Sequence, residues 1–151
     1  MKSFIDTNVL VYAHDRADEA KRDRALAVLA DLSPSELIIS TQVLNEFYVV
    51  TTRPGKELLS RAQAREIVIA LSWTAVEPID ADLVRRATDL HAVHALSYWD
   101  SLVVAAAARA GCACILTEDL DDGAIVDGVR VENPFRSVAQ GNRVRQQNEP
   151  G

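Results

Sequence analysis

Apolar positions along this chain follow two rhythms in alternation. Short runs that fit strands, at 2–6, 37–40, 75–78 and 113–116, are separated by stretches in which apolar residues return every three or four positions. The first run leads directly into a helix at Thr7 and Asn8. Ala25, Leu26, Leu29 and Leu32 mark a helix over 18–32, stopped by Ser33-Pro34. Thr41 is placed to cap a helix over 42–52, ended by Arg53-Pro54-Gly55. Ser60 and Gln63 have capping-box spacing, and the helix they open has Ala64, Ile67, Val68 and Leu71 on one face. Asp80 can cap the next helix, with Leu83, Ala87 and Leu90 inward. Ser97 and Asp100 form a second box, opening a helix that Gly111 closes. Its run Val103-Val104-Ala105-Ala106-Ala107-Ala108 reads as buried and tightly packed. Residues 128–132 are a candidate fifth strand.

Strands alternating with helices predict an α/β fold with a central, mainly parallel sheet of about five strands flanked by helices. A length of 151 residues fits one domain with a substantial core, assigned here to 1–135. Residues 136–151 are polar and aperiodic and are expected to form a mobile tail. Right-handed crossovers start each helix at the carboxyl end of the preceding strand, the edge where open α/β sheets bind ligands. Asp6 ends the first strand, Glu46 lies in the second turn of the helix after the second strand, and Asp119 follows the fourth. All three belong to that edge. Asp100 joins them only if its helix also begins there.

These acids carry the candidate chemistry. Each stands in or beside an apolar run, in Phe4-Ile5-Asp6-Thr7-Asn8, Val43-Leu44-Asn45-Glu46-Phe47, Tyr98-Trp99-Asp100-Ser101-Leu102 and Leu116-Thr117-Glu118-Asp119-Leu120. Burial there disfavours charge unless a partner is present. Converging carboxylates suit a hard cation such as Mg²⁺ or Mn²⁺. Plainer roles are open to each: Asp6 as a helix cap, Asp100 as part of the Ser97 box, Asp119 as a turn residue. Glu46 has Val43, Val49 and Val50 as helical neighbours and needs a partner. Asp121 is the alternative to Asp119 in the same acidic turn, and Glu118 is expected to project away from Asp119.

Composition narrows the classes. Net charge is −6, so a bulk basic footprint for nucleic acid is missing, although a bound cation would cancel much of the charge at the acids. Thirteen of the 16 cationic residues are Arg, which suits phosphate contacts. The longest apolar run is far too short to cross a bilayer, and the first residues show no secretory pattern, so a cytoplasmic location and no membrane partner are expected. Cys112 and Cys114, two apart and expected to share one side of a strand, read as packing residues. His91 and His94 lack further ligands nearby and read as helix contacts, and Trp73 and Trp99 as core residues. No glycine-rich phosphate loop is present.

The ordered motifs, with Asn133-Pro134-Phe135 at the end, resemble a PIN domain over roughly 3–135, and more narrowly the VapC-type ribonuclease toxins of bacterial toxin–antitoxin systems. The resemblance implies a PIN-like three-layer fold and a metal-dependent endoribonuclease using Mg²⁺ or Mn²⁺. It also implies an RNA substrate, a homodimer, and a small antitoxin protein that blocks the site. The family's acids fall on Asp6, Glu46, Asp100 and Asp119, as metal ligands and catalytic residues, with Thr7 and Asn8 in support. Family chemistry is attack of water on phosphorus, leaving a 5′-phosphate and a 3′-hydroxyl. Three other readings compete. An aspartate-based phosphatase would need a second Asp at position 8 and a late lysine, where this chain has Asn8 and ends its lysines at Lys56. A non-catalytic RNA- or protein-binding module of the same fold would not need all four acids. A DNA nuclease would need a basic surface.

Overall fold

The strands are short because acids, prolines and glycines punctuate each apolar run. The computed structural model describes residues 1–138, so most of the tail expected over 136–151 lies outside the described residues. Strands β1 (Ser3–Ile5), β2 (Leu37–Ser40), β3 (Ala75–Glu77), β4 (Cys114–Leu116), β5 (Ile125–Val126) and β6 (Val129–Glu132) form one sheet in the order β3-β2-β1-β4-β6-β5. All pairings are parallel except β5 with β6. Helices α1 (Thr7–Tyr12), α2 (Glu19–Ala30), α3 (Thr41–Thr51), α4 (Arg61–Ser72), α5 (Ala81–Val93) and α6 (Tyr98–Arg109) flank it. Phe4, Ile5, Ile39 and Ile115 on the central strands, and Val104 through Ala107 on α6, are fully buried. The small α6 side chains let that helix lie close against the sheet. None of the helices among the described residues is long and apolar enough to cross a membrane.

Several sequence expectations need correction. The sheet has six strands. The two-residue β5 is too short to leave a periodic signal, but Asp127 and Gly128, with φ of 50° and 78°, close a tight hairpin from Val126 to Val129. An Asp-Gly pair is the strongest short-range hairpin signal and was legible. Ser40 caps α3 through its hydroxyl to the Val43 N–H; Thr41 is already helical, and its Oγ1 accepts from the Ile79 N–H at 3.2 Å. Cys112 precedes β4 rather than lying on it, though both cysteines are buried, and burial pushes the Cys112 thiol up to about 11. Trp73 and Trp99 are not core residues: they are 85% and 62% exposed.

Other local readings hold. Ser60 and Gln63 form the reciprocal box at α4. Asp80 caps α5. His91 sits edge-on to the Tyr98 ring, and His94 ends α5. Behind the carboxyl edge, Glu118 accepts from the Tyr12 hydroxyl at 2.5 Å and from Lys21 Nζ at 2.9 Å. Lys21 also lies over the Tyr12 ring, so this cluster joins α1, α2 and the segment after β4. Burial opposes its charge, but the bonds to Glu118 and Tyr12 win and raise its pKa.

Candidate active site

Parallel pairing decides where the acids go. β1 lies between β2 and β4, with Ile5 opposite Leu116, so the segments after β1 and β4 leave the sheet side by side. Asp6 stands at the first of these exits and Thr117 at the second, and Thr117 Oγ1 donates to Asp6 Oδ2 at 2.8 Å. Asp6 Oδ1 accepts the Thr7 N–H at 2.8 Å, so Asp6 does cap α1. The cap uses one oxygen; the side chain is 5% exposed, and burial pushes its pKa up to about 6. Hydrogen bonds from Thr117 and Thr7 pull it down, and the charges of Asp119 and Glu46 push it further up.

Glu46 is brought to the same edge by α3, which begins where β2 ends. Its partners are Thr7, whose hydroxyl donates to Oε2 at 2.8 Å, and Gln42, whose amide donates to Oε1 at 2.9 Å. Asp119 Oδ2 accepts from Asn8 Nδ2 at 3.1 Å, and the same amide donates to Thr117 Oγ1 at 3.1 Å. Thr117 also accepts the Asp119 N–H, so one hydroxyl ties the two aspartates together.

Asp100 meets its condition. β4 runs parallel to β1 and α6 ends at the start of β4, so α6 begins on the carboxyl side. The Trp99 carbonyl at its start lies 3.4 Å from Gln42 Nε2 on α3. Ser97 Oγ accepts the Asp100 N–H, but the return bond to the Ser97 N–H is missing, so the box is half formed. Burial raises the Asp100 pKa, and the charges of Asp119 and Glu46 add to it against the pull of the Ser97 hydroxyl. Both Asp6 and Asp100 therefore feel Asp119 and Glu46.

The other acids of the turn point elsewhere. Glu118 is held by Lys21 and Tyr12, and Asp122 accepts from the Asn133 N–H and pairs with Arg136. Asp121 is exposed and accepts the Ala124 N–H through its carbonyl, as a turn residue does. Two contributors were missed in the sequence. In the sequence Thr117 stands only as a neighbour of the acidic turn, and Gln42 only as the first residue of a helix. The step from Gln42 to Glu46 is one helical turn, the single clue that the two side chains meet.

The donor chemistry suits a hard divalent ion, since the converging groups are carboxylates, with no cysteine or histidine among them. Asn8 Oδ1 is buried without a partner beside them. Among the described residues no three such side chains stand as a ready-made cage, so ion binding would draw the carboxylates inward.

A pH effect follows for the metal-free protein. Asp6 has its pKa raised from 3.8 to about 6, so the stability it lends is full below 3.8 and is lost as pH rises through about 6. Two pKa units correspond to roughly 2–3 kcal/mol. In EDTA the urea midpoint should fall between pH 4.5 and 7.5, and Asp6→Asn should flatten that fall. A midpoint that rises over this window would contradict the burial of an ionised Asp6.

Comparison with known proteins gives the same architecture. The PIN domain family model matches residues 3–125. No match was found among curated proteins. A toxin–antitoxin complex from Klebsiella pneumoniae is similar over 89% of this chain and 98% of that one, with 22% identity and a TM-score of 0.68. VapC20 of Mycobacterium tuberculosis, a Sarcin-Ricin loop cleaving toxin, is similar over 78% and 90%, with 20% identity and a TM-score of 0.64. DNA-bound VapBC from Salmonella typhimurium is similar over 89% and 98%, with 20% identity and a TM-score of 0.62. At these identities the likeness is one of fold. The family model, in contrast, spans most of the sequence, from β1 into β5, and on that ground this chain belongs to the PIN domain family.

Proposed function

We propose that this protein is a metal-dependent endoribonuclease and the toxin of a toxin–antitoxin pair. The observation that carries the reading is the meeting of Asp6, Glu46, Asp100 and Asp119 at one edge of a PIN fold, with the charges of Glu46 and Asp119 felt at both Asp6 and Asp100. Asp6, Glu46, Asp100 and Asp119 would hold Mg²⁺ or Mn²⁺. When bound, a divalent metal lowers the pKa of a water and stabilises charge on the phosphate. The chain's own groups hold the carboxylates in place. Thr7 orients Glu46, Thr117 orients Asp6, and Asn8 orients Asp119. Burial keeps the Asp6 pKa near 6, so metal binding at neutral pH relieves a buried charge that the fold itself does not neutralise.

The toxin part of the reading is supported by likeness to VapC20 and to VapBC and other toxin–antitoxin complexes. A cognate antitoxin would cover the acids, with an arginine suited to bind a carboxylate bidentately. A homodimer belongs to the same family reading. Expressing the chain alone should arrest growth, with RNA cleaved in the arrested cells, and co-expressing the antitoxin encoded beside it should restore growth. Normal growth at high levels of soluble protein would contradict the toxin role.

A further inference from the structure

Glu46 is shared by two clefts. A smaller one of about 300 Å³ runs over Thr7, Asn8, Tyr12 and Asp119. A larger one of about 680 Å³ lies between α3 and α6, lined by Gln42, Ile79, Tyr98, Trp99 and Leu102. The acids account for the first. Nothing in the hydrolytic chemistry accounts for the second.

Three features define the larger cleft. Trp99, immediately before Asp100, is 62% exposed, an unusual position for a large aromatic side chain. Its ring is steadied edge-on by Tyr98 at 5.2 Å, and Tyr98 in turn by His91. Gln42 is only 7% exposed, and its Nε2 is engaged by Glu46 Oε1 and the Trp99 carbonyl. That fixes which way the amide points and leaves Oε1 as a buried acceptor without a donor. Thr41, whose Oγ1 accepts from the Ile79 N–H, and Asn45 add polar groups on α3, and Ile79, Val84 and Leu102 supply the apolar part of the lining.

We infer that this cleft holds one base of the RNA strand, stacked on Trp99, and favours a base with an exocyclic amino group. Every base has a face that stacks on an aromatic ring, and the cleft opens beside the acids at which a phosphate would react. At the end of the cleft nearest the acids, the unpartnered Gln42 oxygen and the Glu46 carboxylate are both acceptors. The amino groups of adenine and cytosine complement such a wall, whereas the carbonyl groups flanking the uracil N–H face it unfavourably. The inference rests on the ribonuclease reading for its biological meaning, but the cleft can be tested apart from it.

Trp73→Phe removes the other tryptophan, itself 85% exposed, and leaves Trp99 as the single indole N–H signal in proton–nitrogen spectra. Adenosine and cytidine carry no phosphodiester bond and no charge, so neither cleavage nor repulsion by the acids interferes. Either nucleoside should shift the Trp99 signal saturably, and uridine should shift it less. Gln42→Leu should abolish the preference. With RNA, Trp99→Ala should raise KM about tenfold with little change in kcat, the scale of one lost stacking contact, and Trp99→Phe should stay within about twofold of the parent. An unmoved Trp99 signal at high adenosine, or equal KM for Trp99→Ala, overturns the subsite. Absence of RNA cleavage with a nucleoside-sensitive Trp99 would instead overturn the ribonuclease reading and leave the base site standing.

Discussion

Asp6→Asn should lower metal-dependent RNA cleavage at least about a thousandfold, the scale of losing several kcal/mol of charge stabilisation at the reacting phosphate. The fold should survive. Asparagine matches aspartate in shape, and its oxygen can still accept the Thr7 N–H and cap α1. Because the replacement also removes a buried charge, the metal-free variant should melt at or above the parent temperature at pH 7.5. Cleavage rates measured beside thermal melts separate the two roles of Asp6. Full activity in a folded Asp6→Asn protein would mean that this residue only caps α1.

Phe47→Ala should destabilise the protein by about 3–5 kcal/mol, the usual cost of deleting a buried phenyl ring and leaving a cavity. Phe47 is fully buried on α3, one position after Glu46, and meets the His14 ring edge-on at 5.7 Å. It fastens the helix that carries Glu46 to the core beneath α1. For a domain of this size each kcal/mol moves the melting temperature by about 2–4 °C, so a drop on the order of 10 °C is expected by differential scanning calorimetry. A drop of less than about 3 °C would show that α3 is held mainly by other contacts.

The alternation of strands and helices, and the assignment of Asp6, Glu46 and Asp119 to one edge, were legible because parallel crossovers leave little freedom at a strand's carboxyl end. From sequence Asp100 is conditional, since its helix precedes its strand and follows another helix; the contact of the Trp99 carbonyl with Gln42 on α3 resolves it. The fourth acid was ambiguous in a turn crowded with carboxylates. Asn8 turns toward Asp119, whereas Glu118 is drawn to Lys21 and Asp122 to Arg136, and these are tertiary partners that spacing does not reveal. The tryptophans depart from expectation for a related reason. Hydrophobic character argued for the core, but the positions of Trp73 at the end of α4 and Trp99 in the first turn of α6 put both rings at helix ends facing outward. Thr117 and Gln42 carry no chemical signature of their own and acquire roles only through the side chains they touch.

If the carboxylates act by holding a divalent metal, RNA hydrolysis must depend on that ion. The most direct measurement is RNA cleavage by purified protein, freed of any partner, stripped with EDTA and then titrated with Mg²⁺ or Mn²⁺. Cleavage should be absent in EDTA and return on adding either ion, with 5′-phosphate and 3′-hydroxyl ends on the fragments. Undiminished cleavage in EDTA would contradict it.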